Sequence, residues 1–113
     1  MKAPAFDYVR PQSLEEATAL LARHDEAQLL AGGQSLLAMM NLRIAAPDLV
    51  IDIARLPELA AVDEDGEAVT FGACVTYAMI EDCRVPDPSR GLMPRAAATL
   101  AYRAVRNRGT IGG

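Results

Sequence analysis

Apolar and polar residues alternate through Phe6-Asp7-Tyr8-Val9-Arg10, which predicts a short strand closed by Pro11. Ser13-Leu14-Glu15-Glu16 has the form of a capping box, in which the Ser13 hydroxyl accepts from the Glu16 N–H and Glu16 reaches back. Leu14, Ala17, Leu20 and Leu21 then recur at helical spacing and predict one apolar face of a helix ending near His24. Asp25-Glu26 makes a turn, and Ala27 to Leu30 is the next strand. It runs straight into Ala31-Gly32-Gly33-Gln34-Ser35. Beyond the glycines, Leu36, Leu37, Met39, Met40 and Ile44 suit a helix of at most three turns, with the Met pair as core filling and Pro47 as the breaker. Leu49-Val50-Ile51-Asp52-Ile53 is β-branched, flanked by breakers and the most strand-like run in the chain. Residues 6–53 therefore read as a compact α/β unit whose second and third strands are expected to be parallel partners.

The pattern changes after Leu56-Pro57-Glu58-Leu59, which reads as a connector. Ala61-Val62-Asp63 and Ala68-Val69-Thr70-Phe71 flank an Asp65-Gly66 turn and predict a hairpin. Thr76 is placed to cap a helix from Tyr77 to about Cys83, followed by an irregular stretch containing Pro86 and Pro88. Leu92 through Ala101 is alanine-rich and expected to be helical, and Arg103 to Gly109 leads into a terminal Thr110-Ile111-Gly112-Gly113.

Length and composition narrow the class. A chain of 113 residues is one domain's worth, large enough for a modest core. One Lys and ten Arg do not suggest a nucleic-acid binder. No apolar run approaches the roughly 18–20 residues needed to span a bilayer, and the N-terminus lacks a signal-peptide core, so a cytoplasmic location is expected. Cys74 and Cys83 have no metal-site or CxxC spacing and read as reduced, packed thiols. His24, the only histidine, reads as an exposed residue in a last helical turn, and no metal site or catalytic residue is assigned. Asp52 is either a buried hydrogen-bond acceptor or the outward face of its strand, and the acids of residues 63–67 read as a solvated turn.

Charge distribution adds more than its total. Residues 1–89 carry six Lys/Arg against fifteen Asp/Glu, a net of −9. Residues 90–113 carry Arg90, Arg95, Arg103, Arg106 and Arg108 without an acid, a net of +5. An all-positive segment beside a double glycine suits an anionic ligand. Pairing of these arginines with the acidic remainder is the competing reading.

Two adjacent glycines between strand and helix let the backbone take positive φ and bring bare N–H groups against a ligand. If Ser35 caps the helix that follows, the amides and the helix start together favour a phosphate. Gly32-Gly33 is neither the spaced dinucleotide fingerprint nor a P-loop. The pattern alone leaves open a tight turn and a phosphate cradle. Thr110-Ile111-Gly112-Gly113 is a second segment of the same kind, with a hydroxyl donor added.

The paired motifs resemble a known family. Leu-Ala-Gly-Gly-Gln-Ser-Leu-Leu at 30–37 with Met-Met-Asn-Leu-Arg at 39–43 is similar to the first FAD-binding motif of the medium subunits of molybdenum hydroxylases, the carbon monoxide dehydrogenase and xanthine dehydrogenase type. Residues 47–53 and 72–76 are similar to the family's next segments, and Val105 to Gly113 to its second FAD motif. Ala104 stands where many relatives have Gln. The resemblance implies an α+β, PCMH-type FAD-binding fold, like that of vanillyl-alcohol oxidase, built of two small α+β subdomains. Residues 1–55 would form the first subdomain and 56–113 the N-terminal part of a second, incomplete one. It implies non-covalent FAD contacted by Ala31, Gly32, Gly33, Gln34, Ser35 and Leu36 at the pyrophosphate, and by Thr76, Val105, Gly109, Thr110, Gly112 and Gly113. No side chain is expected to do covalent chemistry. A molybdenum-binding large subunit and an iron–sulfur small subunit are the implied partners; they would hold the molybdenum cofactor and [2Fe–2S] clusters. Family members continue past this motif, so the chain is expected to be a truncated product or to have its remainder supplied by another polypeptide. The alternative is a non-catalytic fragment or interaction domain that does not retain FAD.

Overall fold

A computed structural model describes residues 1–113, and the chain divides into two compact units, Met1–Leu56 and Pro57–Gly113. In the first, β1 (Asp7–Val9), β2 (Ala27–Leu30) and β3 (Leu49–Asp52) form a parallel sheet in the order β1-β3-β2. The register pairs Tyr8 with Val50 and Leu30 with Asp52. The most strand-like segment of the sequence is thus the central strand. Its neighbouring residues Val50 and Ile51 point to opposite faces of the sheet and are both 0% exposed, so both faces are covered there. Parallel partners require crossovers, which α1 (Leu14–Arg23) and α2 (Leu36–Asn41) supply.

The capping box forms with one change of partner. Glu16 N–H donates to Ser13 Oγ at 3.1 Å, while the Glu16 carboxylate accepts from the N–H of Gln12, not of Ser13, at 2.9 Å. Ser13→Ala leaves an orphan donor and should destabilise the fold by about 1 kcal/mol, measurable in urea unfolding. Of the expected apolar face only Ala17 is buried; Leu14 and Leu21 remain 40% and 39% exposed. The expected three-turn helix after Ser35 is shorter. Arg43 takes a positive φ of 59°, and the N–H groups of Ile44 and Ala45 both return to Met39 O, which ends the helix before Ile44 can join its apolar face. Of the Met pair, Met40 fills the core at 1% exposure and Met39 does not. Asp52 is a hydrogen-bond acceptor, taking the Tyr8 hydroxyl and the Ala54 N–H (3.0 Å), with Arg10 3.8 Å away.

The second unit opens with α3 (Pro57–Ala60), a turn of helix where a connector was expected. The hairpin β4 (Val62–Glu64) and β5 (Val69–Phe71) is antiparallel, as the Asp-Gly turn predicts. Thr76 caps α4 (Tyr77–Glu81), accepting from Met79 N–H at 3.2 Å. That helix stops before the expected Cys83, which takes a φ of 54° and is exposed, while Cys74 is buried. The expectation of two packed thiols therefore holds for Cys74 alone. The Pro-rich stretch is ordered by Asp87, whose carboxylate accepts from the N–H groups of Ser89 and Gly91 and from the Ser89 hydroxyl. Helix α5 (Leu92–Ala97) is shorter than the expected 92–101, because the chain tightens after Ala97 and turns left-handed at Ala101, φ 46°. A further turn of helix, α6 (Arg103–Arg106), precedes the terminal glycines. Val75, Ile80 and Ala97 form the core, with Phe71, Tyr77 and Met93 packed on it. No helix of either unit is long and apolar enough to cross a membrane.

Candidate functional site

The two double glycines lie in different units and are built differently. The first follows the carboxyl end of β2, where the ends of parallel strands leave space for ligands. Gly33 is buried with φ +76°, a conformation that a β-branched residue essentially never takes. The N–H groups of Gly32, Gly33, Gln34, Ser35 and Leu36 all lack an acceptor within the chain; the loop's first helical bond is Leu37 N–H to Gly33 O at 3.2 Å. Of these residues only Gly33 is buried, and a helix start ordinarily leaves its first amides without partners in the chain, so the run is open to water or a ligand. Ser35 itself is in the right-handed helical region and makes no side-chain cap. The expected Ser35 cap is therefore absent, and its hydroxyl remains open to a ligand. Gln34 donates from its amide to Gly32 O at 3.3 Å, bracing the loop from outside.

The terminal segment is instead committed to its own unit. Thr110 forms an antiparallel bridge with Thr76. On either side, Tyr77 N–H donates to Gly109 O (3.0 Å), Ile111 N–H to Val75 O (2.9 Å) and Gly112 N–H to Ala73 O (2.8 Å). A Cβ on Gly112 would overlap the Ala73 Cβ and lie 2.6 Å from its Cα, so this glycine serves backbone approach to 73–76. The Thr110 hydroxyl, only 6% exposed, donates to Gly113 O at 2.8 Å and closes the turn. What stays open is the bridged pair: neither Thr76 nor Thr110 gives its own N–H to an acceptor in the chain. Gly109 packs against Tyr77, and Val105 is half-buried on α6.

The basic segment divides in two. Arg103 donates to both Asp82 oxygens at 2.7 and 2.6 Å and to Glu81 at 3.1 Å. Arg106 grips Glu81 through two nitrogens at 2.8 and 3.1 Å. For these two arginines the pairing reading is correct. Arg90, Arg95 and Arg108 are exposed and make no ion pair. Sequence reasoning missed Glu81 and Asp82, although they are adjacent acids at the end of a helix in the unit that holds the basic run. It also missed Ala73 and Val75 as the acceptors of the terminal segment, for which composition carries no signal.

Hydrogen bonds from Arg106 hold the Glu81 carboxyl below its ordinary value of 4.5, and those from Arg103 hold Asp82 below 3.8. A carboxyl depressed in the folded state stabilises it fully above the unfolded pKa and loses that contribution as pH falls through the folded one. Melting temperature should therefore drop as pH is lowered below about 4.5. Glu81→Gln, which keeps an acceptor but cannot titrate, should show a shallower drop in the same thermal scans.

Comparison with known proteins places these features. Residues 4–113 match the family described as the FAD binding domain in molybdopterin dehydrogenase, a span that includes both double glycines. The chain belongs to this family. The whole of it aligns at 45% identity with the carbon monoxide dehydrogenase medium chain of Hydrogenophaga pseudoflava and at 41% with the nicotine 6-hydroxylase medium subunit of Paenarthrobacter nicotinovorans. It covers 40% of the length of each. Among solved structures it superposes on carbon monoxide dehydrogenase from Hydrogenophaga pseudoflava with a TM-score of 0.90 at 44% identity. On quinoline 2-oxidoreductase from Pseudomonas putida 86 the TM-score is 0.89 at 37% identity. All of this chain and 40% of the other are covered in each case. The α+β architecture expected from the resemblance is thus the family's own, and this FAD-binding-family chain spans about 40% of the relatives it matches.

Proposed function

We propose that this chain is the FAD-holding part of a medium subunit in a molybdenum hydroxylase, working in the cytoplasm with a molybdenum-binding large subunit and a [2Fe–2S] small subunit. The observation that carries the reading is the run of five acceptorless amides at 32–36, on the segment that matches an FAD-binding family. These residues fit a diphosphate: the N–H groups of Gly32 to Leu36 would donate to its oxygens, Ala31 and Gly33 allow close approach, and the Ser35 hydroxyl adds a further donor. Thr76 and Thr110 would contribute their open N–H groups, with Gly109, Gly112 and Gly113 shaping that backbone and Val105 supporting it. When bound, FAD would supply the electron relay from the partner's iron–sulfur clusters to an external acceptor. The chain contributes position and electrostatics, and no residue of it acts as acid, base or nucleophile.

A second reading is a folded piece that does not retain FAD by itself, favoured by the 40% coverage of the relatives. Titrating the purified chain with FAD and following flavin fluorescence separates the two. Quenching that saturates in the micromolar range supports cofactor holding. Free-flavin behaviour throughout supports the second reading. ADP and inorganic phosphate competing as well as FAD binds would point instead to a generic phosphate module.

A further inference from the structure

The Glu81–Arg106 pair stands apart from the other ion pairs. Its side chains are 18% and 12% exposed, whereas Arg103 and Asp82 beside it are 45% and 36% exposed. Arg106 also donates to the carbonyls of Leu100 (3.1 Å) and Ala101 (3.4 Å), the latter at the left-handed turn. One guanidinium thus ties α4, α6 and the turn after α5 together. The consequence lies at the other ends of these elements. Helix α4 begins at Tyr77, whose N–H donates to Gly109 O, and Gly109 follows α6 by three residues. The segments 76–81 and 106–110 are therefore fastened twice, by the bidentate pair at one end and by the backbone bond at the other. A slip of one residue would separate the guanidinium from its two oxygens and turn Thr110 away from Thr76. Arg–carboxylate forks carry this geometric specificity where a single-point ammonium does not.

We propose that Glu81 and Arg106 are a positioning pair that sets the register of the terminal Thr-Ile-Gly-Gly segment against residues 73–77, and so places the open Thr76 and Thr110 amides for the cofactor. The second half rests on the FAD reading above; the first does not. Amide hydrogen exchange on the full chain tests the first half, and FAD titration tests the second. Arg106→Lys and Glu81→Gln keep the size of the side chains and should each cut protection at the Ile111 and Gly112 amides by about tenfold. The Ile53 amide, bonded to Leu30 O in the other unit, should change by less than about threefold. Combining both substitutions should add little to either alone, since they break one interaction. Arg103→Lys, which disturbs the exposed Asp82 pair and the single bond to Glu81 but leaves the two-point Arg106–Glu81 fork in place, should leave Ile111 and Gly112 within about threefold of wild type.

Unchanged protection in Arg106→Lys and Glu81→Gln, or an equal loss in Arg103→Lys, overturns the positioning role. With protection lost, the Kd for FAD should rise about tenfold. Lost protection with unaltered FAD affinity overturns the link to the cofactor. If the wild-type chain takes up no FAD, the FAD reading fails separately, and exchange alone decides the role of the pair.

Discussion

Gly33→Val should abolish FAD binding, raising the Kd by at least about 100-fold in flavin fluorescence titrations while the sheet remains folded. Two effects act together. At φ +76° a side chain strains the backbone, costing about 1–2 kcal/mol for an ordinary L-residue and more for a branched one. The new Cβ would also lie 3.0 Å from Leu37 Cδ1 and 3.2 Å from Leu30 Cδ1. These are flexible side-chain ends, so the cheapest relief combines their movement with a change of φ at residue 33. That change reorients the peptide N–H groups around residue 33. Gly66→Val is the matching control. It has a φ of +90° and open space around it, in the hairpin of the other unit. It should carry a comparable strain cost and leave FAD affinity at wild type. Retained affinity in a folded Gly33→Val protein would remove the 32–36 amides from the cofactor site.

Gly112→Ala should detach the terminal segment. Its Cβ would meet the Ala73 main chain, with the Cα at 2.6 Å and the carbonyl oxygen at 2.8 Å, and no rotamer change can relieve a backbone contact. The segment must move off, breaking Gly112 N–H to Ala73 O and Ile111 N–H to Val75 O. At about 1 kcal/mol for each bond, the loss should be about 2 kcal/mol, read as a lowered urea midpoint. Thr110 would lose its bridge to Thr76, and FAD affinity should fall by about tenfold or more. An unchanged urea midpoint would mean that the pairing with 73–76 is not what stabilises this end of the chain.

The first unit was more legible in sequence than the second, and the reason is physical. Its central strand is dense in β-branched residues, its helix start has a capping box, and its breakers sit where elements end. Leu49–Asp52 could be named as a strand because Leu49, Val50 and Ile51 are apolar on both faces, the mark of a central parallel strand. Helix lengths were overestimated at Ile44, Cys83 and Ala101 for one shared reason. Each helix is followed closely by a non-glycine residue in the left-handed region, Arg43, Cys83 and Ala101 themselves, and no composition rule marks an Arg, Cys or Ala as a stop. The single turns at Pro57–Ala60 and Arg103–Arg106 are too short for apolar periodicity to register.

The candidate site divides along the same line. Gly32-Gly33 announced its loop because left-handed backbone needs glycine. Gly112 also announced itself, but its reason, close packing on Ala73, depends on a residue 39 positions away that nothing local identifies. The arginines near the second loop suggested an anion by charge alone. Geometry gives two of them to Glu81 and Asp82, and the proposed reading rests instead on the backbone amides of residues 32–36, which sequence cannot count.

Those amides can be observed directly. In a two-dimensional 1H–15N spectrum of the chain titrated with FAD, the resonances of Gly32, Gly33, Gln34, Ser35 and Leu36 should shift and saturate at one equivalent. FAD that binds while the 32–36 amides stay unmoved would contradict the assignment of this loop to the pyrophosphate.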